Sequence, residues 1–387
     1  MTDVAEQARA EADGAVTPRR LLPRGVPAVL VLYLFTRVVQ FAFIDWLAPA
    51  DGPSIKDRLL VWDGGWFTRV AVEGYPHTYS YDKSGQMVGN GLAFFPLYPW
   101  LIRGLHWLDM DAGWAALVIS WAAAGVAAVL LYRFGTALHG QRLGYALVVL
   151  FCAQPMSVVL SMGYSEAVFS ALVIGALYAA YRDAFLVAGV LGLLAGLCRP
   201  TGLAVGLAVT VAAALALYRR RGGWRVGVGA LLALSGVPAY LLWVGNRVGD
   251  LNAWFTIQTA GWGTTFDWGS STWTFLWVAI TRGNGWVQMS VAFILIAALV
   301  AAAFALTRRI WPPLVVYGLL VLGLVVGQAG YYHSKPRLLV PALVILLPAG
   351  YAAARARTRT AVLALTGYAL FGLWYGAYMI TVWPFTI

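Results

Sequence analysis

The chain has 387 residues, of which 61% are hydrophobic and only 11% are charged, and it carries a formal net charge of +11 at pH 7. Soluble globular domains contain about 25% charged residues, so this composition excludes that class. It requires many spans of about 20 apolar residues each, the length that crosses a bilayer.

The apolar runs are continuous and show no two-residue alternation, which favours helices over a β-barrel. We therefore predict an all-α polytopic membrane protein with about eleven transmembrane helices. The predicted spans are residues 25–45, 112–133, 143–162, 165–182, 184–199, 202–218, 226–246, 285–306, 311–330, 338–354 and 360–381. Only a Pro-Thr pair separates residues 184–199 from 202–218, which form either a tight hairpin or one broken element. The apolar segment 92–108 contains two prolines, and we predict that it is re-entrant or interfacial.

Basic residues indicate the orientation of such a protein, because they accumulate in cytoplasmic segments. With a cytoplasmic N-terminus, the inside segments hold 16 of the 27 Lys and Arg residues. We therefore predict a multi-pass protein of the cell membrane whose polar N-terminal tail, residues 1–24, is cytoplasmic. Residues 25–387 are predicted to form a single transmembrane domain with two long outer loops, residues 46–111 and 247–284. The positive charge thus reports topology, and no nucleic-acid partner is needed to explain it.

The first outer loop contains an unusual motif, Trp62-Asp63-Gly64-Gly65-Trp66. The spacing of its apolar residues predicts a short amphipathic helix over residues 62–72 that lies in the membrane interface. An aromatic belt explains the tryptophans alone, but it gives no reason for a carboxylate between them. Asp63 is therefore our candidate catalytic base, with Trp62 and Trp66 as candidate substrate-binding residues.

Two further outer segments supply candidate substrate contacts. Phe95 and Tyr98 stand among prolines, in a segment that forms either a bent binding wall or a kinked helix start. Tyr164 and Glu166 stand at an outer helix end. There Glu166 is either a helix cap, which the helix dipole favours, or a substrate contact. The residues alone leave both alternatives open.

Cations on the same outer side are candidate ligands of a donor phosphate. They are Arg199, His333, Lys335 and Arg337, and arginine suits this role because it binds phosphate with two N–H groups. The alternative is that these side chains only reach lipid phosphates at the membrane surface. No paired zinc ligands are present in the sequence. No cofactor is firmly implied, although the outer acids could recruit a divalent metal ion.

Taken in order, these patches resemble the PIG-V family of membrane mannosyltransferases, in its bacterial branch related to GPI mannosyltransferase II. The matching motifs are Trp62-Asp63, Phe94-Phe95-Pro96-Leu97-Tyr98-Pro99, Gly163-Tyr164-Ser165-Glu166, Arg199-Pro200-Thr201-Gly202 and Lys335-Pro336-Arg337. The resemblance covers most of residues 25–350 and implies the GT-C fold of glycosyltransferase family 76. It also implies that Asp63 is the catalytic base on the non-cytoplasmic face. The family often has Tyr where this chain has Phe67, so a hydroxyl group is missing there.

We therefore expect a membrane glycosyltransferase that moves a sugar, with mannose favoured, from a polyprenyl-phosphate-sugar donor to an outward-facing lipid or glycan acceptor. The reaction inverts the anomeric carbon, and membrane lipid surrounds the enzyme. The residues suit this chemistry, because Asp63 can take the proton of the acceptor while the cations stabilise the departing phosphate.

Two alternatives to an enzyme remain open. The first is a flippase or transporter of lipid-linked sugars, and the second is a non-catalytic partner subunit of a glycosyltransferase. Transport is disfavoured because no internal repeat is visible and ionisable residues are nearly absent from the span centres, with Arg37 as the main exception.

Overall fold

The computed structural model describes residues 25–283, 285–308 and 310–387, so the predicted tail of residues 1–24 lies outside them. Regular structure in these ranges is almost entirely helical, as predicted. The helices are α1 (Val26–Leu47), α2 (Ile55–Leu59), α3 (Asp63–Glu73), α4 (Leu97–His106), α5 (Ala112–His139), α6 (Gln141–Cys152), α7 (Glu166–Tyr181), α8 (Phe185–Cys198), α9 (Gly202–Tyr218), α10 (Trp224–Val248), α11 (Ala253–Trp262), α12 (Ser270–Arg282), α13 (Trp286–Leu306), α14 (Pro312–Gly327), α15 (Lys335–Leu338), α16 (Leu347–Arg355) and α17 (Thr358–Thr381). One hairpin, β1 (Ser80–Tyr81) with β2 (Met87–Val88), interrupts the helical pattern.

Within the described ranges, five helices are long and apolar enough to cross a membrane, namely α1, α5, α10, α13 and α17. The bent pair Tyr332–Leu338 and Leu343–Arg355 makes a sixth if its two parts form one span. Shorter apolar helices of 10–17 residues, α6, α7, α8, α9 and α14, occupy stretches where we predicted further spans. The prediction of a helical, multi-pass membrane protein is confirmed. The number of eleven spans stays a prediction.

The predicted continuous span over residues 143–162 is wrong. Helix α6 ends at Cys152, and the chain then runs through a buried unwound segment, residues 153–165, whose only regular piece is a 3-10 turn at Ser157–Leu160. Pro155 cannot donate the next helical hydrogen bond, and Met156 follows it in the left-handed region with φ 67°. The helical path resumes only at Glu166, the first residue of α7.

The predicted continuous span over residues 338–354 is also wrong. Helix α15 ends at Leu338, a 3-10 turn follows at Leu343–Leu346, and α16 continues to Arg355. The two halves of this path are bent by 80° at the break. Pro341 lies in the break. Because proline has no backbone N–H to donate, it interrupts the helix at this point.

The alternative left open for residues 184–218 is resolved as a hairpin of two separate helices, α8 and α9. Small residues let α8 and α10 approach until their backbones nearly touch. A Cβ added at Gly189 would lie 2.6 Å from the carbonyl oxygen of Gly229, and one added at Gly196 would lie 2.9 Å from the Cα of Gly236. Close packing through small residues is a common way to join helices in a membrane.

Both predicted outer loops contain regular structure. The predicted interfacial helix over residues 62–72 is observed as α3, and the proline-rich segment 92–108 is a 3-10 turn at Gly91–Ala93 followed by α4. The second loop contains α11 and α12. The loops are joined by a 2.6 Å hydrogen bond that the Tyr79 hydroxyl donates to Oδ2 of Asp250. This bond lowers the pKa of the Asp250 carboxyl.

Helix α17 packs its small residues against the unwound segment, which generates a stability prediction. A Cβ at Gly372 would collide with the backbone carbonyl of Ala153, whereas a Cβ at Gly367 in the same helix would meet no atom within 4 Å. We expect Gly372→Ala to lower the free energy of unfolding by about 1–3 kcal/mol, because neither backbone can easily move aside. Gly367→Ala should be neutral or slightly stabilising, because alanine is the better helix former. Equal melting temperatures for the two purified variants in detergent would contradict this packing.

Candidate active site

A cavity of about 220 Å³ lies where helices α3, α8 and α11 meet the chain around α15. Its polar lining includes Asp63, Arg199, Gln258, Lys335 and Arg337. Its apolar lining includes Phe67, Phe94, Phe95, Trp254 and Trp262. The cavity therefore combines charged groups with an aromatic wall, which are the two surfaces that a phosphate-linked sugar on a lipid would require.

A larger cavity of about 650 Å³ lies at the opposite end of α8, between residues 183–187 and 221–226. Its charged lining residues, Asp183, Arg221 and Arg225, are all exposed. We place the candidate site at the smaller cavity, because there the charges are largely buried and face a shaped apolar wall. Size alone does not identify a site.

The position of Asp63 follows from the local backbone. Asp63 is the first residue of α3, where the helix dipole favours a negative charge. Trp62 before it has φ 54°, an uncommon value for a bulky residue, and so stores strain next to the candidate base. The Asp63 carboxylate makes a 2.7 Å ion pair, from its Oδ2 to Nη2 of Arg337. The two side chains are only 19% and 12% exposed, so water screens this pair weakly.

Arg337 has donor capacity that the protein leaves unused. Its Nη2 contacts Asp63, and its guanidinium carbon stands 5.1 Å from the ring centroid of Tyr164. Within the described residues, neither Nε nor Nη1 of Arg337 has a hydrogen-bond partner, although both atoms are buried. Buried donors are normally paired, so these two nitrogen atoms mark a place for an acceptor from outside the chain.

A second carboxylate–arginine pair lies beside the first. Oε1 of Glu166 stands 2.8 Å from Nη1 of Arg199, and the same nitrogen donates a 2.9 Å hydrogen bond to the Ser165 hydroxyl. The contact between Glu166 and Arg199 is close in distance but lacks hydrogen-bond geometry. Neither carboxylate oxygen of Glu166 therefore has a hydrogen-bond partner among the described residues. Glu166 is 1% exposed and does not line the cavity, whereas Arg199 does. A third role for Glu166, an ion pair with Arg199, is thus added to the helix-cap and substrate-contact interpretations.

Tyr164 lies next to both acidic side chains. Its ring is fully buried against Arg337, and its hydroxyl donates a 3.2 Å hydrogen bond to the carbonyl of Val61 in the first outer loop. The buried ring acts as a fixed wall behind the guanidinium.

Lys335 is held by the end of a helix. Its Nζ donates hydrogen bonds of 2.8 Å to the carbonyl of Val325 and 2.6 Å to the carbonyl of Gln328, at the C-terminus of α14. A cation is favoured at a helix C-terminus, where carbonyl groups lack helical partners. An ammonium has three N–H groups, so this arrangement leaves one of them for an acceptor in the cavity.

Aromatic rings from three separate segments form the wall of the cavity. Trp66 of α3 stacks on Phe94 with ring centroids 5.8 Å apart, and Trp262 of α11 meets Phe94 edge-on at 5.4 Å. Phe67 also contacts Phe94, at 5.0 Å. Trp66 therefore reaches the cavity wall through its contacts with Phe94 and Trp262, both of which line it.

The structure does not bring every predicted site residue to the cavity. Tyr98 is fully buried, and its hydroxyl is bonded to the Ala116 carbonyl and the Ser120 hydroxyl. His333 contacts Thr386 through Nε2 at 3.2 Å. Tyr98, His333 and Trp62 do not line the cavity. The predicted site residues that do line it are Asp63, Phe95, Arg199, Lys335 and Arg337.

Sequence reasoning missed the contribution of the second outer loop. Trp254, Gln258 and Trp262 of α11 line the cavity, as do Thr264 and Gln328. Nε2 of Gln258 donates a 3.1 Å hydrogen bond to the carbonyl of Ala93, which joins this helix to the first loop. The available signal was the pair of tryptophans in a polar loop, the same signal that drew attention to Trp62 and Trp66.

The described residues contain no group of three or more His, Cys, Asp and Glu side chains that could hold a metal ion. The two acids of the site, Asp63 and Glu166, are instead each placed against an arginine. These residues do not by themselves form a ligand set for a resident metal, so metal dependence stays open.

Comparison with solved structures places the fold. Two structures of ArnT from Cupriavidus metallidurans, one bound to undecaprenyl phosphate and one in the apo state, superpose with TM-scores of 0.55 and 0.53 at 17% identity. They cover 90% and 88% of this chain, and 64% and 62% of the ArnT chains. The chain has the GT-C fold. At this identity the likeness defines the fold alone.

Sequence comparison agrees with the family resemblance. GPI alpha-1,6-mannosyltransferase 2 of Rattus norvegicus is 31% identical over 155 residues, which are 37% of this chain and 29% of that relative. The match thus spans less than a third of the length of the curated relative. No protein-family model matches the chain. The predicted resemblance to PIG-V and to the GT-C glycosyltransferases is confirmed.

The buried pair of Glu166 and Arg199 generates a prediction about stability. Arg199→Met would leave the Glu166 carboxylate buried and without its cation, so we expect a loss of about 3–5 kcal/mol in the free energy of unfolding. The double variant Glu166→Gln with Arg199→Met should recover most of that loss, because no charge then stays unpaired. The measurement is unfolding of each purified variant in the same detergent.

The exposed ion pair of Lys56 and Asp111, at 2.7 Å, is the matched control for that experiment. Its side chains are 31% and 58% exposed, so Lys56→Met should lower the free energy of unfolding by no more than about 1 kcal/mol. If Arg199→Met destabilised the protein no more than Lys56→Met, the two residues would not form a functioning buried pair.

Proposed function

We propose that this protein is a membrane glycosyltransferase that transfers a sugar, with mannose favoured, from a polyprenyl phosphate to an outward-facing lipid or glycan hydroxyl. One observation carries the proposal: the largely buried pair of Asp63 and Arg337 at the cavity, whose arginine keeps two nitrogen atoms, Nε and Nη1, without hydrogen-bond partners in the described structure. Asp63 as the proposed base and Arg337 as the proposed phosphate-binding residue thus lie 2.7 Å apart, from Oδ2 to Nη2.

The donor phosphate is proposed to bind between Arg337, Arg199 and Lys335. Arg337 offers Nε and Nη1, which have no hydrogen-bond partner in the described structure, and Lys335 offers its remaining N–H. Arginine and lysine hold phosphate oxygens through charge-assisted hydrogen bonds, which are stronger in a site that excludes water. The apolar lining formed by Leu324 and Leu338 can accept the first part of the lipid chain.

The proposed transfer is a single inverting displacement. The hydroxyl oxygen of the acceptor attacks the anomeric carbon while the bond from that carbon to the phosphate oxygen breaks. The proton of the hydroxyl passes to the carboxylate of Asp63. The electron pair of the broken bond stays on the polyprenyl phosphate, and the cations stabilise the charge that builds up on it.

The ion pair of Asp63 also determines when that residue can act as a base. In the described structure Oδ2 of Asp63 is occupied by the guanidinium of Arg337 at 2.7 Å, so this oxygen is not free to contact the hydroxyl of an acceptor. A phosphate on Arg337 would compete with Asp63 for the same guanidinium and so release the carboxylate toward the acceptor. Donor binding would thereby produce the active base.

The aromatic wall is proposed to bind the sugar and the adjacent lipid. Phe94 and Trp262 line the cavity, and the ring of Trp66 contacts both of them. The similarity to a rat mannosyltransferase supports mannose as the sugar. The bound ligand of ArnT, undecaprenyl phosphate, supports a polyprenyl carrier. We propose the extracytoplasmic face of the cell membrane as the location of the site.

The test is glycosyl transfer by purified protein in liposomes, with a panel of radiolabelled polyprenyl-phosphate sugars and membrane glycolipid extract as acceptor. We expect labelled product with the mannose donor, and a loss of about 100- to 10,000-fold in turnover for Asp63→Asn, because the amide cannot take a proton. Asp51→Asn changes an exposed acid of the same outer loop and is the matched control, with turnover expected near that of the unmodified protein.

Three results would contradict the proposal. Near-normal turnover by Asp63→Asn would remove Asp63 from the role of base. Movement of lipid-linked sugar across the bilayer without covalent product would favour the alternative of a flippase or transporter. A folded protein that neither transfers nor moves any sugar of the panel would favour the non-catalytic partner subunit.

A further inference from the structure

Arg37 is a charged residue in the middle of the first predicted span. It lies in α1 and is 4% exposed, and the described residues place no carboxylate within ion-pair distance of it. A buried, unpaired charge in a membrane helix is costly and is retained only where it has a role. Arg37 does not line the cavity, so that role is not direct contact with a substrate there.

The guanidinium of Arg37 binds the unwound segment, residues 153–165. Nη1 donates hydrogen bonds of 3.1 Å to the carbonyl of Ser157 and 3.0 Å to the hydroxyl of Ser161. Nη2 donates to the carbonyl of Cys152, the last residue of α6. The side chain therefore serves as the C-terminal cap of α6 and pairs carbonyl groups that the break in the helix leaves free.

The unwound segment needs such a partner because of where it lies. Nearly all of its residues are buried, and non-helical backbone at membrane depth is tolerated only when the protein satisfies its polar groups. Trp121 gives similar support from α5, since its Nε1 donates a 2.9 Å hydrogen bond to the carbonyl of Ser161. The positive charge of Arg37 adds attraction to the negative end of the α6 dipole.

The far end of the same segment carries the site. The backbone N–H of Gly163 donates a 2.8 Å hydrogen bond to the carbonyl of Leu59, and the Tyr164 hydroxyl bonds to the carbonyl of Val61. These two carbonyls lie just before Asp63, so the segment supports the stretch of backbone that presents the carboxylate. The Ser165 hydroxyl, next along the segment, accepts the hydrogen bond of Arg199.

The segment also reaches the chain that carries Arg337. Nε2 of Gln154 donates a 3.1 Å hydrogen bond to the carbonyl of Val340, in the break that follows α15. The unwound segment thus contacts both the chain that leads to Asp63 and the chain that follows Arg337. Arg37 binds this segment at Ser157 and Ser161, between Gln154 at one contact and Tyr164 at the other.

We infer that Arg37 is a positioning residue for glycosyl transfer. It fixes the unwound segment 153–165, and through that segment it sets the relative positions of Asp63, Tyr164 and Arg337. The inference rests on the proposed function for the reaction that is positioned. Its structural part, the clamping of the segment by Arg37, can be measured without any reaction.

The test compares Arg37→Met with the unmodified protein in two measurements on the full chain in lipid nanodiscs. Hydrogen–deuterium exchange should rise at least about tenfold in residues 153–165, because carbonyls lose their partner and the segment opens more often. Turnover should fall about 10- to 100-fold with the KM for the donor changed less than about threefold, because a shift of about 1 Å in catalytic geometry has an effect of that size.

Gln40→Met is the matched control. Gln40 lies one turn further along α1 and is also fully buried, but its Nε2 bonds to the carbonyl of Leu373 in α17, not to the unwound segment. We expect no rise of exchange in residues 153–165 and less than a threefold change in turnover. Arg37→Lys keeps the charge with fewer directed N–H groups, so its exchange and turnover should lie between those of Arg37→Met and the unmodified protein. It also replaces Arg37→Met if that variant fails to fold.

The outcomes separate the inference from the proposed function. If the unmodified protein transfers no sugar, the proposed function fails, and the exchange measurement still decides whether Arg37 holds the segment. If transfer occurs and Arg37→Met leaves both turnover and exchange unchanged, the inference is overturned. Equal losses for Arg37→Met and Gln40→Met, with exchange raised throughout the helices, would reduce Arg37 to general stability and also overturn it.

Discussion

The buried ion pair of Asp63 and Arg337 is the interaction on which the account of this site depends. Two opposite charges at 2.7 Å, 19% and 12% exposed, hold together segments that lie more than 270 residues apart in the chain. Such a pair is retained only when its desolvation is offset by good geometry or by a role in function. Here the geometry is incomplete, because two donors of Arg337 have no partner in the described structure. The site therefore brings the candidate base Asp63 together with nitrogen atoms that have no partner and could bind an anion.

Two interruptions of the helical path make this contact feasible. Long helices alone would place the charges at separate points of a membrane surface, but the unwound residues 153–165 and the break after α15 bring irregular backbone into the interior. The polar groups of that backbone need partners within the protein. Arg37 and Trp121 supply these partners from the surrounding helices. The hydrogen bonds of Gly163 and Tyr164 to the chain just before Asp63 connect the unwound backbone to the outer loop. These hydrogen bonds join the unwound segment to the helices around it and to the loop that carries Asp63.

The sequence predicted the helical membrane fold, the helix that begins near Asp63 and the charged residues of the cavity, because apolar runs and isolated charges are local signals. It did not predict the breaks over residues 143–162 and 338–354, since Pro155 and Pro341 stand in runs whose hydropathy alone indicates continuous spans. It also placed Tyr98 in a possible binding wall and His333 among the candidate phosphate ligands, although neither lines the cavity and both are bonded to other residues. The contribution of α11 depends on how two loops meet; its pair of tryptophans was a local signal, but it does not say which cavity they line.

A structure of the protein in nanodiscs with polyprenyl phosphate bound is the most direct test of the site. We expect a phosphate oxygen within about 3 Å of Nε or Nη1 of Arg337. We also expect the Asp63 carboxylate to move beyond the ion-pair limit of about 4 Å and to face the open part of the cavity. A phosphate bound away from Arg337, with the 2.7 Å contact between Asp63 and Arg337 intact, would contradict the proposed roles of both residues.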